Sequence, residues 1–220
     1  MDKHLNLLLD KVGCKNRGVK EIPVRPESYS KIEDCFNNVA AKVSRDSGLT
    51  CYGWKLHKGN FIYEAERHAI WLSPDNELVD ITPESNHISN SLFVEDNEFV
   101  YQGQFVDNIR INITGNSVVD DFITICEIIS QMWQLGERNL DGSLLIPEPI
   151  AKAIEVLNNQ KMQHELFILS GGKADVACYC GRLKAYKNCH GQDIQANASS
   201  IIDWAKSIKA STERFHSKAK

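Results

Sequence analysis

Two groups of residues in this 220-residue chain have side chains suited to chemistry. The first is Cys178, Cys180, Cys189 and His190, three thiols and an imidazole in one short segment. As thiolates and a neutral imidazole they make a tetrahedral donor set for Zn2+, and four protein ligands leave no open position, so such a site is structural. A segment this short buries little apolar area, so metal–ligand bonds would supply its folding energy. Incidental or buried cysteines account poorly for four ligands at this spacing. The second group is Cys35, His68 and Asp80. A cysteine attacks a carbonyl carbon as its thiolate, a form favoured by a helix N-terminus and a nearby imidazole. A carboxylate on the far ring nitrogen would orient that imidazole. Singly, each has an ordinary structural reading: Cys35 as a core thiol, His68 as a satisfied buried histidine, Asp80 as a turn cap. Their order and spacing set the catalytic reading level with the structural one.

The elements that must position these residues are legible from periodicity. Ser30-Lys31-Ile32-Glu33 reads as a capping box. It opens a helix with Ile32, Cys35, Phe36, Val39, Ala40 and Val43 on one face, ending at Gly48. Cys35 then lies in its first turn or two. Strands follow at 51–56, 60–63, 68–72 and 78–81, with Ser73-Pro74-Asp75-Asn76 as a turn between the last two. In that hairpin His68 and Asp80 stand opposite or diagonally opposite on one face; a one-residue slip would separate them. Glu66 should point to the same face as His68, as a second acid or as a plain surface glutamate. Further strands are expected at 92–94, 99–101 and 109–113, and helices at 2–12, 118–135, 150–157 and 198–215. The stretch 15–29 is polar and proline-bearing, and Gly171-Gly172 marks a linker. Cys51 opens a strand without a helix dipole, Cys126 reads as core and Cys14 as exposed; Trp54 and Trp71 read as sheet core.

Composition sets the class. A hydrophobic content of 42% and a charged content of 25% suit a chain that buries a real core. No apolar run approaches the roughly 18–20 residues that cross a bilayer, and the N-terminal Leu7-Leu8-Leu9 is too short for a secretory signal. The expected compartment is a reducing cytoplasm, where seven cysteines serve as ligands, nucleophile or core and not as a disulfide framework. Residues 171–220 carry nine Lys/Arg and four Asp/Glu, net +5; against −4 for the whole chain, residues 1–170 carry −9. That basic tail could face nucleic acid, an acidic partner or its own chain. Gly171-Gly172-Lys173 lacks the upstream glycine and the Ser/Thr of a phosphate loop.

Residues 178–191 read Cys-Tyr-Cys-Gly-Arg-Leu-Lys-Ala-Tyr-Lys-Asn-Cys-His-Gly and resemble the SEC-C motif, found at the end of the SecA translocation motor. Cys178, Cys180, Gly181, Tyr186, Lys187, Cys189, His190 and Gly191 match it; Tyr179 stands where proline is usual, and Arg182-Leu183 where Ser-Gly is usual. The resemblance implies a structural Zn2+ held by Cys178, Cys180, Cys189 and His190, and a module that docks a protein partner or a peptide substrate. Residues 30–85 resemble the papain-like and transglutaminase-like superfamily in the order helix-borne Cys35, strand His68, then Asp80. His68-Ala69-Ile70-Trp71 and Val79-Asp80-Ile81-Thr82-Pro83 look like its His-x-x-Trp and Asp-x-Thr segments, and the twelve-residue step from His68 to Asp80 fits NlpC-type amidases. The neighbourhood of Cys35 lacks the Gly-x-Cys of transglutaminases and the Cys-Ser-Gly of NlpC enzymes.

The expectation is therefore an α+β chain: a papain-like antiparallel sheet packed on helices over 1–145, a helical connector over 146–172 and a zinc module over 173–220. Its activity would be that of a cysteine hydrolase or acyltransferase on an amide, isopeptide or thioester bond, with no membrane partner. The alternatives are a non-catalytic zinc-binding adaptor and a nucleic-acid-binding protein.

Overall fold

Asp2 opens the first helix by accepting a bond from the backbone N–H of His4 at 2.9 Å, which satisfies one of the free donors of a helix start. The structure is a computed structural model that describes residues 2–85, 88–138 and 144–218, with Gln195 and 213–218 described by backbone alone. It divides into two units, one ending at Ile113 and the other beginning at Thr114. The boundary thus falls well before residue 145, because the helix that follows Thr114 packs on the later helices.

In the first unit the elements run α1 (Lys3–Lys11), β1 (Lys20–Pro23), α2 (Cys35–Asp46), β2 (Leu49–Lys58), β3 (Ile62–Leu72), β4 (Leu78–Val79), β5 (Asn90–Glu95) and β6 (Ile109–Asn112). The strands form one antiparallel sheet in the order β1-β5-β2-β3-β4, with β6 also on β3. Its spine is the β2–β3 hairpin, in register from Leu49↔Leu72 to Lys58↔Tyr63. Side chains alternate along these strands. Trp54, Leu56, Tyr63, Ala65, Val94 and Ile111 therefore pack together with Leu8 and Leu9 of α1, while Ile22, Ile70 and Phe93 form a separate cluster. Cys35 and Val39 of α2 pack on Ala69, Val79 and Ile81.

Gly53 sits opposite His68 in the hairpin. A Cβ there would lie 2.2 Å from the Val94 carbonyl and 2.5 Å from the Phe93 ring, so only glycine lets β5 close on β2.

The second unit holds α3 (Ser117–Trp133), a short β7–β8 hairpin (Glu137–Arg138, Leu144–Leu145), α4 (Glu148–Leu169), a 3-10 turn (Tyr186–Asn188) and α5 (His190–Lys218). Ile125, Ile129 and Met132 of α3 bury against Ile150, Ile154 and Leu157 of α4 and Ile202 and Ala205 of α5. Among the described residues no helix is long and apolar enough to cross a membrane.

Several expectations need correction. Ser30 is not an N-cap: α2 starts at Cys35, after Asp34. Asn38 explains this, since its side chain accepts from Lys31 N at 2.9 Å and donates to Lys31 O at 2.8 Å, fastening 31–34 as a loop. The segments read as strands at 60–63 and 68–72 are one strand, β3. No strand forms at 99–101; there Phe99 and Tyr101 pack their rings on Phe36. The polar stretch 15–29 contributes β1, whose Ile22 is buried. Helices α4 and α5 are longer than their apolar periodicity suggested.

Candidate active site and metal centre

On the side of β3 away from β2, β6 pairs with Ile62–Ala65 and β4 with Trp71–Leu72. Residues 66–70 have no strand beside them there, and His68 is at the centre of that window. Extending the Trp71↔Val79 register puts Thr82 opposite His68 and Asp80 one step along the diagonal. Asp80 leaves β4 at that point to bridge Val24, and its N–H donates to Pro23 O at 3.0 Å. β1 thus holds the carboxylate in place.

His68 Nε2 lies 3.0 Å from Asp80 Oδ2, with both residues buried. Asp80 Oδ2 also accepts from Lys55 Nζ at 2.7 Å, and Oδ1 accepts from Thr82 N at 3.0 Å. Lys55, 1% exposed, pairs on its other side with Glu84. Burial opposes ionisation of Asp80, but the His68 and Lys55 charges outweigh it and hold the carboxyl below its usual range. Burial likewise works against charge on Lys55, and the two carboxylates more than restore it.

His68 Nδ1 is buried without a hydrogen bond of ordinary length. Glu66 Oε1 is 3.8 Å from it, and Glu66 Oε2 is 3.0 Å from His57 Nε2. Burial disfavours a charged ring, yet Asp80, the Cys35 thiol and Glu66 together raise the His68 pKa well above the ordinary histidine value. Burial also opposes charge on Glu66, but the two histidines hold it strongly down. Cys35, His68, Lys55, His57, Glu66, Glu33, Thr82 and Glu84 line one cleft of about 240 Å³.

Cys35 is the first residue of α2, where backbone N–H groups have no intrahelical partner and the dipole favours negative charge. Asp34 does not cap them; its carboxylate accepts from the Asn37 side chain at 2.6 Å. Glu33, two residues earlier, adopts φ 60°. The left-handed region costs a non-glycine residue roughly 1–2 kcal/mol.

The structure thus brings His68, Asp80 and Glu66 together, and Cys35 into the same cleft. Lys55, Glu84 and His57 were missed. Alternation sets Lys55 on the face opposite Trp54 and Leu56, where a lysine reads as solvated; only the carboxylates brought over it by β4 and the following segment reveal a buried cation. The other thiols offer less. Cys51 is half-buried and pushed up to about 11, chiefly by burial. Cys126 is buried, and so is Cys14, against expectation, because its loop folds onto the α1 cluster.

In the second unit, Cys178, Cys180, Cys189 and His190 place their ligand atoms within 4.8 Å of one another and could hold a metal ion. Cys178 Sγ is 3.1 Å from His190 Nδ1, Cys189 Sγ is 3.7 Å from the same nitrogen, and Cys180 and Cys189 sulfurs are 3.6 Å apart. Zinc bonds of ~2.3 Å to sulfur and ~2.0–2.1 Å to nitrogen at tetrahedral angles separate ligand atoms by roughly 3.5–3.8 Å. The donor set therefore fits such an ion in kind and in spacing.

The surrounding residues explain the local sequence. Gly181 has φ +76°, which turns the chain after Cys180. A Cβ on Gly191 would meet the Tyr186 ring at 2.7 Å. Tyr186 is buried, donates to Asp121 Oδ2 at 2.8 Å and lies 2.8 Å from His164 Nε2. His164 Nδ1 lies 2.9 Å from Gln160 O and 3.2 Å from the Tyr179 hydroxyl. Burial pushes His164 down, and burial with the Asp121 charge pushes Tyr186 up, so a neutral ring meets a neutral phenol. Nothing in the sequence signals His164, a polar residue on an otherwise ordinary amphipathic helix.

No family model matches the chain, and no curated protein or solved structure is significantly similar to it.

Proposed function

We propose that the first unit is a cysteine-dependent hydrolase or acyltransferase, with Cys35 as nucleophile, His68 as base and then acid, and Asp80 as the group that orients the ring. The observation that carries this reading is His68 itself: one ring nitrogen is bonded to a buried carboxylate, and the other is buried and unpartnered in the cleft that Cys35 lines. Such a pair stores the thiol proton on the imidazole and leaves a thiolate at a helix start.

The thiolate attacks the carbonyl carbon of an amide, isopeptide or thioester bond. Negative charge moves to the carbonyl oxygen, for which the Cys35 backbone N–H is the nearest helix-start donor. His68 Nδ1 gives its proton to the leaving amine or thiol, and an acyl-thioester remains on Cys35. Water or an acceptor amine then loses a proton to Nδ1, adds to the thioester and releases the thiolate. The chain order and the segments around His68 and Asp80 resemble the papain-like and transglutaminase-like superfamily, which supports the same reading.

The cluster at 178–190 is proposed to be a SEC-C-type module. Cys178, Cys180, Cys189 and His190 would hold Zn2+, which supplies folding energy to the loop and takes no part in a reaction. Leu183, fully exposed between Arg182 and Lys184, is the side chain that such a module offers to a protein partner or substrate.

The test is covalent labelling. Iodoacetamide should modify Cys35 faster than a cysteine of the denatured chain, and Cys35→Ala should abolish that fast phase with the melting temperature nearly unchanged. A fast phase that persists in Cys35→Ala removes the nucleophile.

A further inference from the structure

We infer that the cleft beside Cys35 is built to receive a positively charged substrate group, an ammonium or a guanidinium, next to the bond that is attacked. The inference rests on the cysteine-nucleophile reading and names the substrate class that reading leaves open.

The first ground is charge. Glu33, Glu66 and Glu84 line the cleft, and Asp80 stands directly behind His68. Against these four carboxylates stand two cations, Lys55 and a protonated His68, so the sum is −2. Even with His57 protonated the sum is −1. The Lys55 charge is already engaged by Asp80 and Glu84, and it is not available to a ligand. Glu33 is exposed and has no ion pair within 4.0 Å among the described residues.

The second ground is direction, and it is independent of the first. His68 Nδ1 is buried, unpartnered and part of the cleft wall. A ligand group must complete its hydrogen bonding. The carboxylate beside that nitrogen is Glu66, whose Oε1 lies 3.8 Å away, beyond hydrogen-bond length. Asp80, by contrast, occupies the other ring nitrogen. A group seated against Nδ1 and the Cys35 sulfur therefore has Glu66 beside it and the free carboxylate of Glu33 at the same cleft. A cation is favoured there, and an anion meets uncompensated like charge.

The experiment compares methanethiosulfonates that differ only in charge. The Cys35 thiolate attacks the sulfenyl sulfur, a mixed disulfide forms, and methanesulfinate leaves with the electron pair of the broken S–S bond. The full-length chain is treated at low salt with the 2-(trimethylammonium)ethyl, 2-hydroxyethyl and 2-sulfonatoethyl reagents. Modification of Cys35 is followed by peptide mass mapping, with Cys35→Ala as background. Each rate is divided by that of 2-mercaptoethanol with the same reagent. One net charge near the reacting atom at intermediate dielectric changes a rate by on the order of tenfold. The expected normalised ratio of cationic to anionic reagent is therefore at least tenfold. It should fall toward one in high salt and drop severalfold in Glu33→Gln and Glu66→Gln.

A ratio near or below one, with Cys35 still reacting fast toward the neutral reagent, overturns the cation-receiving cleft and leaves the nucleophile standing. A Cys35 no faster than a cysteine of the denatured chain toward all three reagents overturns both.

Discussion

Lys55→Met replaces a buried cation by an apolar chain of similar length. It leaves two carboxylates, Asp80 at 0% exposure and Glu84 with its side chain 22% exposed, without the charge between them. Removing one partner of a buried ion pair costs ~3–5 kcal/mol, because a buried charge loses its compensation. Two features place this case at the low end. Asp80 keeps the His68 imidazolium and the Thr82 N–H, and Glu84 can turn toward water. A loss of about 3 kcal/mol is expected, or a fall in Tm of about 12 °C or more at ~4 °C per kcal/mol for a unit near 100 residues. Calorimetry and denaturant melts of the full chain measure both quantities. Lys55→Met/Glu84→Gln removes the charge that Glu84 would otherwise bring to the site, so the double variant should recover about 1 kcal/mol and show a non-additive cycle. A Lys55→Met protein within about 0.5 kcal/mol of wild type, or strictly additive effects, would refute the buried network as described.

Gly53→Ala should cost about 1–3 kcal/mol through overpacking, since its Cβ cannot avoid the Val94 carbonyl and the Phe93 ring; an unchanged denaturation midpoint would contradict the close approach of β5 to β2. Stability should fall on both sides of a plateau between about pH 4.3 and 6.5 in the first unit. Asp80 and Glu66 are held down, so their contribution is present above the unfolded carboxylate values and lost as pH falls through the folded ones. His68 is held up, so its contribution is complete below its unfolded pKa and lost as pH rises toward the folded one. His68→Gln should flatten the alkaline limb in the difference between melts, and an identical limb would show that another group titrates. Elemental analysis should find one zinc per chain, reduced below stoichiometry by Cys180→Ser, and a chelator should lower the melting of the α3–α5 unit; an unaltered melt in a metal-free chain would remove the structural role.

The metal cluster and the His–Asp pair were legible in sequence for the same reason: both depend on short separations. Four ligands inside one turn-and-helix-start segment need no long-range information. Asp80 and His68 are neighbours across one tight hairpin, whose turn residues and period-two pattern fix the register to within a diagonal step. Glu66 follows from that register as well, two residues along the same strand. Local chemistry was less reliable at the helix start. A capping box was written at Ser30–Glu33, but Asn38 reached back to Lys31 and made that stretch a loop, so Cys35 became the first helical residue.

Only the tertiary structure could assign the remainder. Lys55, Glu84 and His57 look like solvated charges until β2, β3 and the chain beyond β4 gather them around one cleft. His164, Tyr186 and Asp121 come from three separated segments and meet only because α3, α4 and the metal loop pack together. Sequence periodicity states which face of an element is apolar; it does not state which buried charges will find compensation across the fold. That compensation is a long-range property of pairing and packing, and it decides whether an acid, a base or a thiol becomes part of a site.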